Sequence, residues 1–152
     1  MEPTIDQKSI IVVYGSANLG KTESLRALAR LLWNSEKEED RIFASFAEFP
    51  EQGDFRFVLR VNGRVWAIES GGDPNTDLDG RLTQLVEQFS VEVIFCATRN
   101  RGATTGAVRA LSESDGFEMI WSSPYITEKS QAEANELKGK HLLELARVLS
   151  IS

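Results

Sequence analysis

Ser9-Ile10-Ile11-Val12-Val13-Tyr14-Gly15-Ser16-Ala17-Asn18-Leu19-Gly20-Lys21-Thr22 changes character twice. It begins as an unbroken apolar run rich in β-branched side chains, the pattern of a parallel strand covered on both faces. Gly15 ends that run, and Gly20 ends the short stretch after it. From Lys21 the period becomes helical: Leu25, Leu28, Ala29, Leu31 and Leu32 predict a helix from Lys21 to about Trp33. A strand, a glycine-bounded turn and a helix in succession can present inward-pointing amides and a helix N-terminus to an anion.

Gly15 to Thr22 satisfies every fixed position of Gly-x-x-x-x-Gly-Lys-Ser/Thr. A match by accident somewhere in such a chain has odds of roughly one in a few hundred from average residue frequencies. Its place between a predicted strand and a predicted helix is the context that the chemistry requires. The stretch resembles the Walker A motif of the P-loop NTPase superfamily. The resemblance implies that Gly15, Ser16, Ala17, Asn18, Leu19 and Gly20 cradle phosphates, that Lys21 reaches the terminal phosphates and that Thr22 places its hydroxyl on Mg²⁺.

Working outward, Arg41–Phe46 reads as a strand. Phe55–Val61 and Arg64–Glu69 flank Asn62-Gly63, the favoured pair for a two-residue hairpin loop whose turn positions need positive φ. That register sets Val61 against Arg64, Leu59 against Trp66, Phe57 against Ile68 and Arg56 against Glu69, and suits a sheet edge folded onto a core. Leu78, Leu82, Leu85, Val86 and Phe89 trace a second helix, and Val91–Ala97 a further strand. A short helix from Thr104 to about Ser114, a strand Phe117–Trp121 and a closing helix from Ala132 to Leu149 complete the chain. In the last, Leu137, His141, Leu142, Leu145, Val148 and Leu149 share one side. Strands alternating with helices predict a single α/β domain over residues 1–152, with helices on both faces of a mostly parallel sheet containing one antiparallel hairpin strand. This is the three-layer arrangement that the P-loop resemblance also implies.

A phosphate loop of this kind works with an acid at the end of a neighbouring apolar strand. Val65–Ile68 delivers Glu69, with Asp73 four residues on, whereas Val93–Ala97 runs into Thr98-Arg99-Asn100-Arg101 and offers none. The metal role therefore falls to Glu69, with Asp73 in reserve; an ion pair with Arg56, its cross-strand neighbour, is the competing reading of Glu69. Glu69-Ser70-Gly71-Gly72 also resembles, with Glu for Asp, the Asp-x-x-Gly signature that follows an antiparallel hairpin in the Ras-like branch. That comparison implies that the Gly72 amide senses the γ-phosphate. A competing resemblance, to dethiobiotin synthetase-like ATPases, rests on a strand that ends in glutamate before a glycine-rich turn.

The guanine-reading motif of Ras-like proteins is missing, since Thr98-Arg99-Asn100-Arg101 has Arg in place of Lys and no acid. ATP is therefore expected, with GTP as the alternative. Arg99 and Arg101, at the carboxyl end of a strand, are the candidates for neutralising charge during hydrolysis.

The chain has 152 residues, 41% hydrophobic and 26% charged, the composition of a soluble globular domain. A net charge of −6 argues against a nucleic-acid-gripping surface. Met1 to Asp6 lacks the layout of a secretion signal and no run is long enough to span a membrane, so a cytoplasmic location is expected. One cysteine and one histidine exclude an intrachain disulfide and the usual zinc sites. Cys96, Trp33, Trp66 and Trp121 read as packing residues, and His141 as a packed or partner-facing one. The expected activity is Mg²⁺-dependent nucleoside triphosphate hydrolysis, slow or controlled by a protein partner or a second copy. A small kinase and a nucleotide-binding module without turnover are the alternatives.

Overall fold

The computed structural model describes residues 8–15, 20–71, 77–100 and 102–151. Among them, six strands form one sheet: β1 (Ser9–Tyr14), β2 (Arg41–Ala44), β3 (Arg56–Val61), β4 (Arg64–Glu69), β5 (Val93–Thr98) and β6 (Glu118–Ser122). Four α-helices connect and cover them: α1 (Lys21–Ser35), α2 (Leu78–Phe89), α3 (Ala103–Asp115) and α4 (Gln131–Ile151). The strand order is β2-β3-β4-β5-β1-β6. β3 pairs antiparallel with both β2 and β4, and the pairs around it are parallel, so β3 alone runs against the rest.

β1 lies between two parallel partners, with Ile11 opposite Phe95 in β5 and Val12 opposite Trp121 in β6. Its unbroken apolar run follows from that placement, because both of its faces are covered. Ile11 and Val13 join Leu25, Leu28 and Leu32 of α1 and Leu142 and Ala146 of α4 in one core. Ile10 and Val12 join Leu82 and Leu85 of α2 and Val108 and Leu111 of α3 in the other. The molecule is thus an α/β sandwich.

The hairpin closes as its turn residues demand. Asn62 has φ 51° and Gly63 φ 81°, the pair of left-handed conformations a tight hairpin loop requires. The ladder runs Arg56–Glu69, Phe57–Ile68, Leu59–Trp66 and Val61–Arg64, as the alternation predicts. The hairpin is not the sheet edge, however. β2 pairs outside β3, and Val58 and Ala67, on the face expected to be mixed, are fully buried in the core that α2 and α3 cover.

α4 differs in part from expectation in the face it buries: Leu142, Leu145 and Leu149 pack on the core, but other positions of the stripe do not. Leu137 and Val148 are exposed, 47% and 67%, and His141 is exposed as well. Ala134, Asn135, Lys138, Leu142, Leu143 and Ala146 are buried instead. Gly139 explains the rotation: a β-carbon there would stand 2.7 Å from the Leu28 nitrogen and 2.8 Å from the Ala27 β-carbon of α1. The two helices meet through small residues there, and of the expected stripe Leu142, Leu145 and Leu149 still pack on the core. No helix among the described residues is long and apolar enough to cross a membrane.

Candidate functional site

The carboxyl end of β1 delivers Gly15, and α1 begins at Lys21. Gly20 stands at the helix N-terminus with φ 83°, a conformation that glycine takes without steric cost. Ser16, Ala17, Asn18 and Leu19 lie outside the described residues, as do Gly72, Asp73 and Arg101. What the structure fixes are the two ends of the motif and its lysine. Lys21 is 7% exposed. Its ammonium donates to the Gly15 carbonyl at 2.8 Å and to the Thr98 carbonyl, at the end of β5, at 2.9 Å. The Gly15 amide donates to the same Thr98 carbonyl at 3.1 Å. These three bonds tie the start of the motif, the lysine and the neighbouring strand into one unit. Thr22 follows on the first turn of α1, half-buried.

Glu69 ends β4, but β5 stands between β4 and β1, so the acid sits one strand further out than a neighbouring-strand arrangement would put it. The strand beside β1 ends in Thr98, which contributes its carbonyl to Lys21 and no acid. Glu69 is 2% exposed, and its Oε1 accepts from Arg56 at 2.8 Å and lies 3.5 Å from Arg81. The cross-strand pair with Arg56 therefore exists, and Arg81 of α2 joins it. Arg81 also donates to the Gly71 carbonyl at 2.6 Å, and Arg56 donates to Gln84 at 2.7 Å and to the Arg81 carbonyl at 3.2 Å. A carboxylate this deep needs such partners, since an unpaired buried charge is expensive. Phe43, Ser45 and Asp54 join these groups around an open cleft of about 390 Å³. Asp54 is held by the Ser70 hydroxyl at 3.4 Å.

Arg99 is half-buried just beyond β5, and its amide donates to Thr104 Oγ1 at 3.0 Å, closing the turn into α3. Cys96, opposite Glu69 across β4 and β5, is fully buried. Burial first, and the Glu69 carboxylate second, push its thiol pKa well up, against a smaller lowering by Arg81.

Several residues that frame this end of the sheet carry no local sequence signal. Arg81 looks like any helix-surface arginine, and only the α2 docking brings it to Glu69. Gln131 and Asn135 of α4 flank the end of the glycine-bounded motif: a β-carbon on Gly20 would stand 2.6 Å from Asn135 Oδ1. Gln131 Nε2 donates to that same oxygen at 2.8 Å and to the Tyr125 carbonyl at 2.7 Å. Lys138, one turn further, is buried; it donates to the Ser122 hydroxyl and lies 4.6 Å from the Tyr125 ring centre. Burial pulls its pKa down. The Tyr125 hydroxyl bonds the exposed His141 Nδ1 at 2.6 Å, so of the two readings of His141 the packed one does not hold.

Among the described residues no group of three or more His, Cys, Asp or Glu side chains converges as a metal site. Compared with protein-family models, curated proteins and solved structures, the chain matches none.

Proposed function

We propose that this chain binds a nucleoside triphosphate, ATP, as its Mg²⁺ complex and hydrolyses it slowly or under the control of a partner. The observation that carries the reading is the seat of Lys21. A cation held by two main-chain carbonyls at the carboxyl edge of a mostly parallel sheet, beside a glycine-bounded loop, supports the reading of an anionic ligand there.

The residues present fit Mg²⁺ in a limited way. Mg²⁺ takes one or two protein oxygens and otherwise phosphate oxygens and water, so it needs no dense acidic cluster. Thr22 offers a hydroxyl on the first turn of α1. Glu69 can join only if its carboxylate turns away from Arg56 and Arg81, or acts through water, and Asp73 remains the reserve. Mg²⁺ would supply charge neutralisation on the phosphates. Gly15 to Gly20 and Gly72 supply amides in this reading, Lys21 a positive charge, and Arg99 and Arg101 further charge.

The cleft holding Arg56 and Arg81 supports a second reading, a kinase whose acceptor carries negative charge. Both guanidiniums already face Glu69, and so hydrolysis stands first. The test is nucleotide binding by calorimetry with and without Mg²⁺, followed by phosphate release. Release from ATP alone, or on adding a partner, supports a hydrolase; release of none until an acceptor is phosphorylated supports a kinase; tight binding without either marks a binding module. Absence of any triphosphate affinity overturns the proposal.

A further inference from the structure

β3 runs against the other strands, so it begins at the edge where β4, β5 and β1 end. Asp54 stands two residues ahead of β3 and is thereby carried to the edge that holds Gly15 and Lys21. Two contacts fix the chain there. The buried Ser70, next after Glu69, donates through its hydroxyl to Asp54 Oδ1 at 3.4 Å, and its amide donates to the Phe55 carbonyl at 3.1 Å. On the other side Arg26 of α1, 2% exposed, donates to the Gly53 carbonyl at 3.0 Å and to the Pro50 carbonyl at 3.3 Å. Arg26 follows Thr22 by four residues, the spacing that stacks two side chains on one helix face. Asp54 is therefore one residue from the Arg26 contact, and Thr22 is one helical turn from it.

The two acids at this edge differ in what already holds them. Glu69 shares its face of the sheet with Ala67 and with Cys96 opposite it, both in the core that α2 and α3 cover. α1 covers the other face. To meet a ligand at Thr22, Glu69 must leave both Arg56 and Arg81, and parting a buried ion pair is costly. Asp54 lines the same open cleft but is exposed, and among the described residues no arginine or lysine pairs with it. Its carboxylate can be recruited without breaking an ion pair.

We propose that Asp54 is the carboxylate that meets the metal of the bound Mg²⁺–triphosphate, directly or through a water of the metal's shell, together with the Thr22 hydroxyl. The inference rests on the triphosphate reading above and adds to it an acid that the sequence pattern passes over, because Asp54 precedes an antiparallel strand and does not end a parallel one. One carboxylate and one hydroxyl suffice for Mg²⁺, which keeps phosphate oxygens and water in the rest of its shell. Glu69 then has its place in the clasp with Arg56 and Arg81, and the Ser70 hydroxyl steadies Asp54.

Calorimetry on the full chain, with ATP at Mg²⁺ concentrations from excess EDTA to saturation, tests this role in wild type, Asp54→Asn and Asp54→Ala. Urea denaturation without nucleotide accompanies it, and both variants should keep the wild-type midpoint because the position is exposed. The Mg²⁺ concentration that gives half the full gain in ATP affinity is expected to rise about tenfold in each variant, the scale on which loss of a group in or around a metal's shell lowers metal affinity. A Mg²⁺ midpoint that does not move in either variant overturns the role. With a lowered urea midpoint, that result marks Asp54 as a structural residue; with an unchanged one, as a solvated turn aspartate. Wild type that binds ATP equally with and without Mg²⁺ also overturns the role, while leaving the triphosphate reading standing. Wild type that binds no ATP under any of these conditions refutes that reading, and the role with it.

Discussion

Lys21 and Thr98, 77 positions apart in the chain, are joined by a hydrogen bond of 2.9 Å from the ammonium to the carbonyl. The Gly15 amide ends on that same carbonyl, so the lysine of the glycine-bounded motif is positioned by the neighbouring strand as well as by its own helix. An ammonium fixed this way loses less side-chain freedom when a ligand arrives, which favours binding.

Lys21→Ala is expected to fold and to weaken triphosphate binding by about ten- to a hundredfold, the worth of a hydrogen bond to a charged group. Circular dichroism checks the fold and calorimetry the affinity. Retention of full affinity by a folded variant would falsify the placement of the phosphates.

Glu69→Gln removes the charge that faces Arg56 and Arg81 and leaves two part-buried guanidiniums facing an amide. The chain should lose about 3 kcal/mol of stability with no nucleotide present, as when one partner of a buried pair is removed. Adding Arg81→Met should recover part of that loss. Urea denaturation of both variants checks this; a Glu69→Gln chain as stable as wild type would mean that the pairing contributes little. Mg²⁺-dependent turnover is expected to fall as well, and unchanged turnover would transfer the metal role to Asp73.

Gly20→Ala meets two separate obstacles, a φ of 83° and an Asn135 oxygen 2.6 Å from the new β-carbon. Together they should cost about 1–3 kcal/mol. Asn135→Ala in the same chain should relieve the clash and leave the backbone term, so the double variant falls between Gly20→Ala and wild type in urea midpoint. A double variant no better than the single one would show that the backbone conformation alone is responsible.

Cys96 should resist alkylation by iodoacetamide at about pH 8 in the folded protein and react readily once the chain is unfolded. Burial raises its thiol pKa in the native state, so the unfolded chain ionises first. The contribution of this thiol to stability is therefore full below the ordinary cysteine value of 9.0 and is lost progressively as pH rises above it. Cys96→Ala should flatten that alkaline decline. Rapid native-state labelling would count against the burial described here.

Where a pattern is closed by its own neighbours, the sequence is readable. Asn62-Gly63 sets the hairpin register residue by residue, and the apolar run before Gly15 marks a strand covered on both faces. Strand order is another matter, because β4 and β5 both have apolar centres and nothing local says that β5 inserts beside β1. The clasp on Glu69 is half legible for the same reason: Arg56 is cross-strand, and so follows from the register, whereas Arg81 arrives only with the docking of α2. On α4 the stripe is legible at Leu142, Leu145 and Leu149, which pack on the core, and misleading at Leu137 and Val148, since Gly139 can be recognised as a contact only once α1 lies against it.

The first strand of the chain has both of its ladder partners beyond residue 92. During synthesis, then, Ser9–Tyr14 leaves the ribosome with no sheet to join, and an exposed β-branched segment of this kind is prone to aggregate. Gly20 waits longer still, until Gln131 and Asn135 emerge. A nascent chain stalled before its final helix would carry the glycine-rich motif without the side chains that flank it, so the nucleotide binding proposed for that motif should be among the last properties the polypeptide acquires.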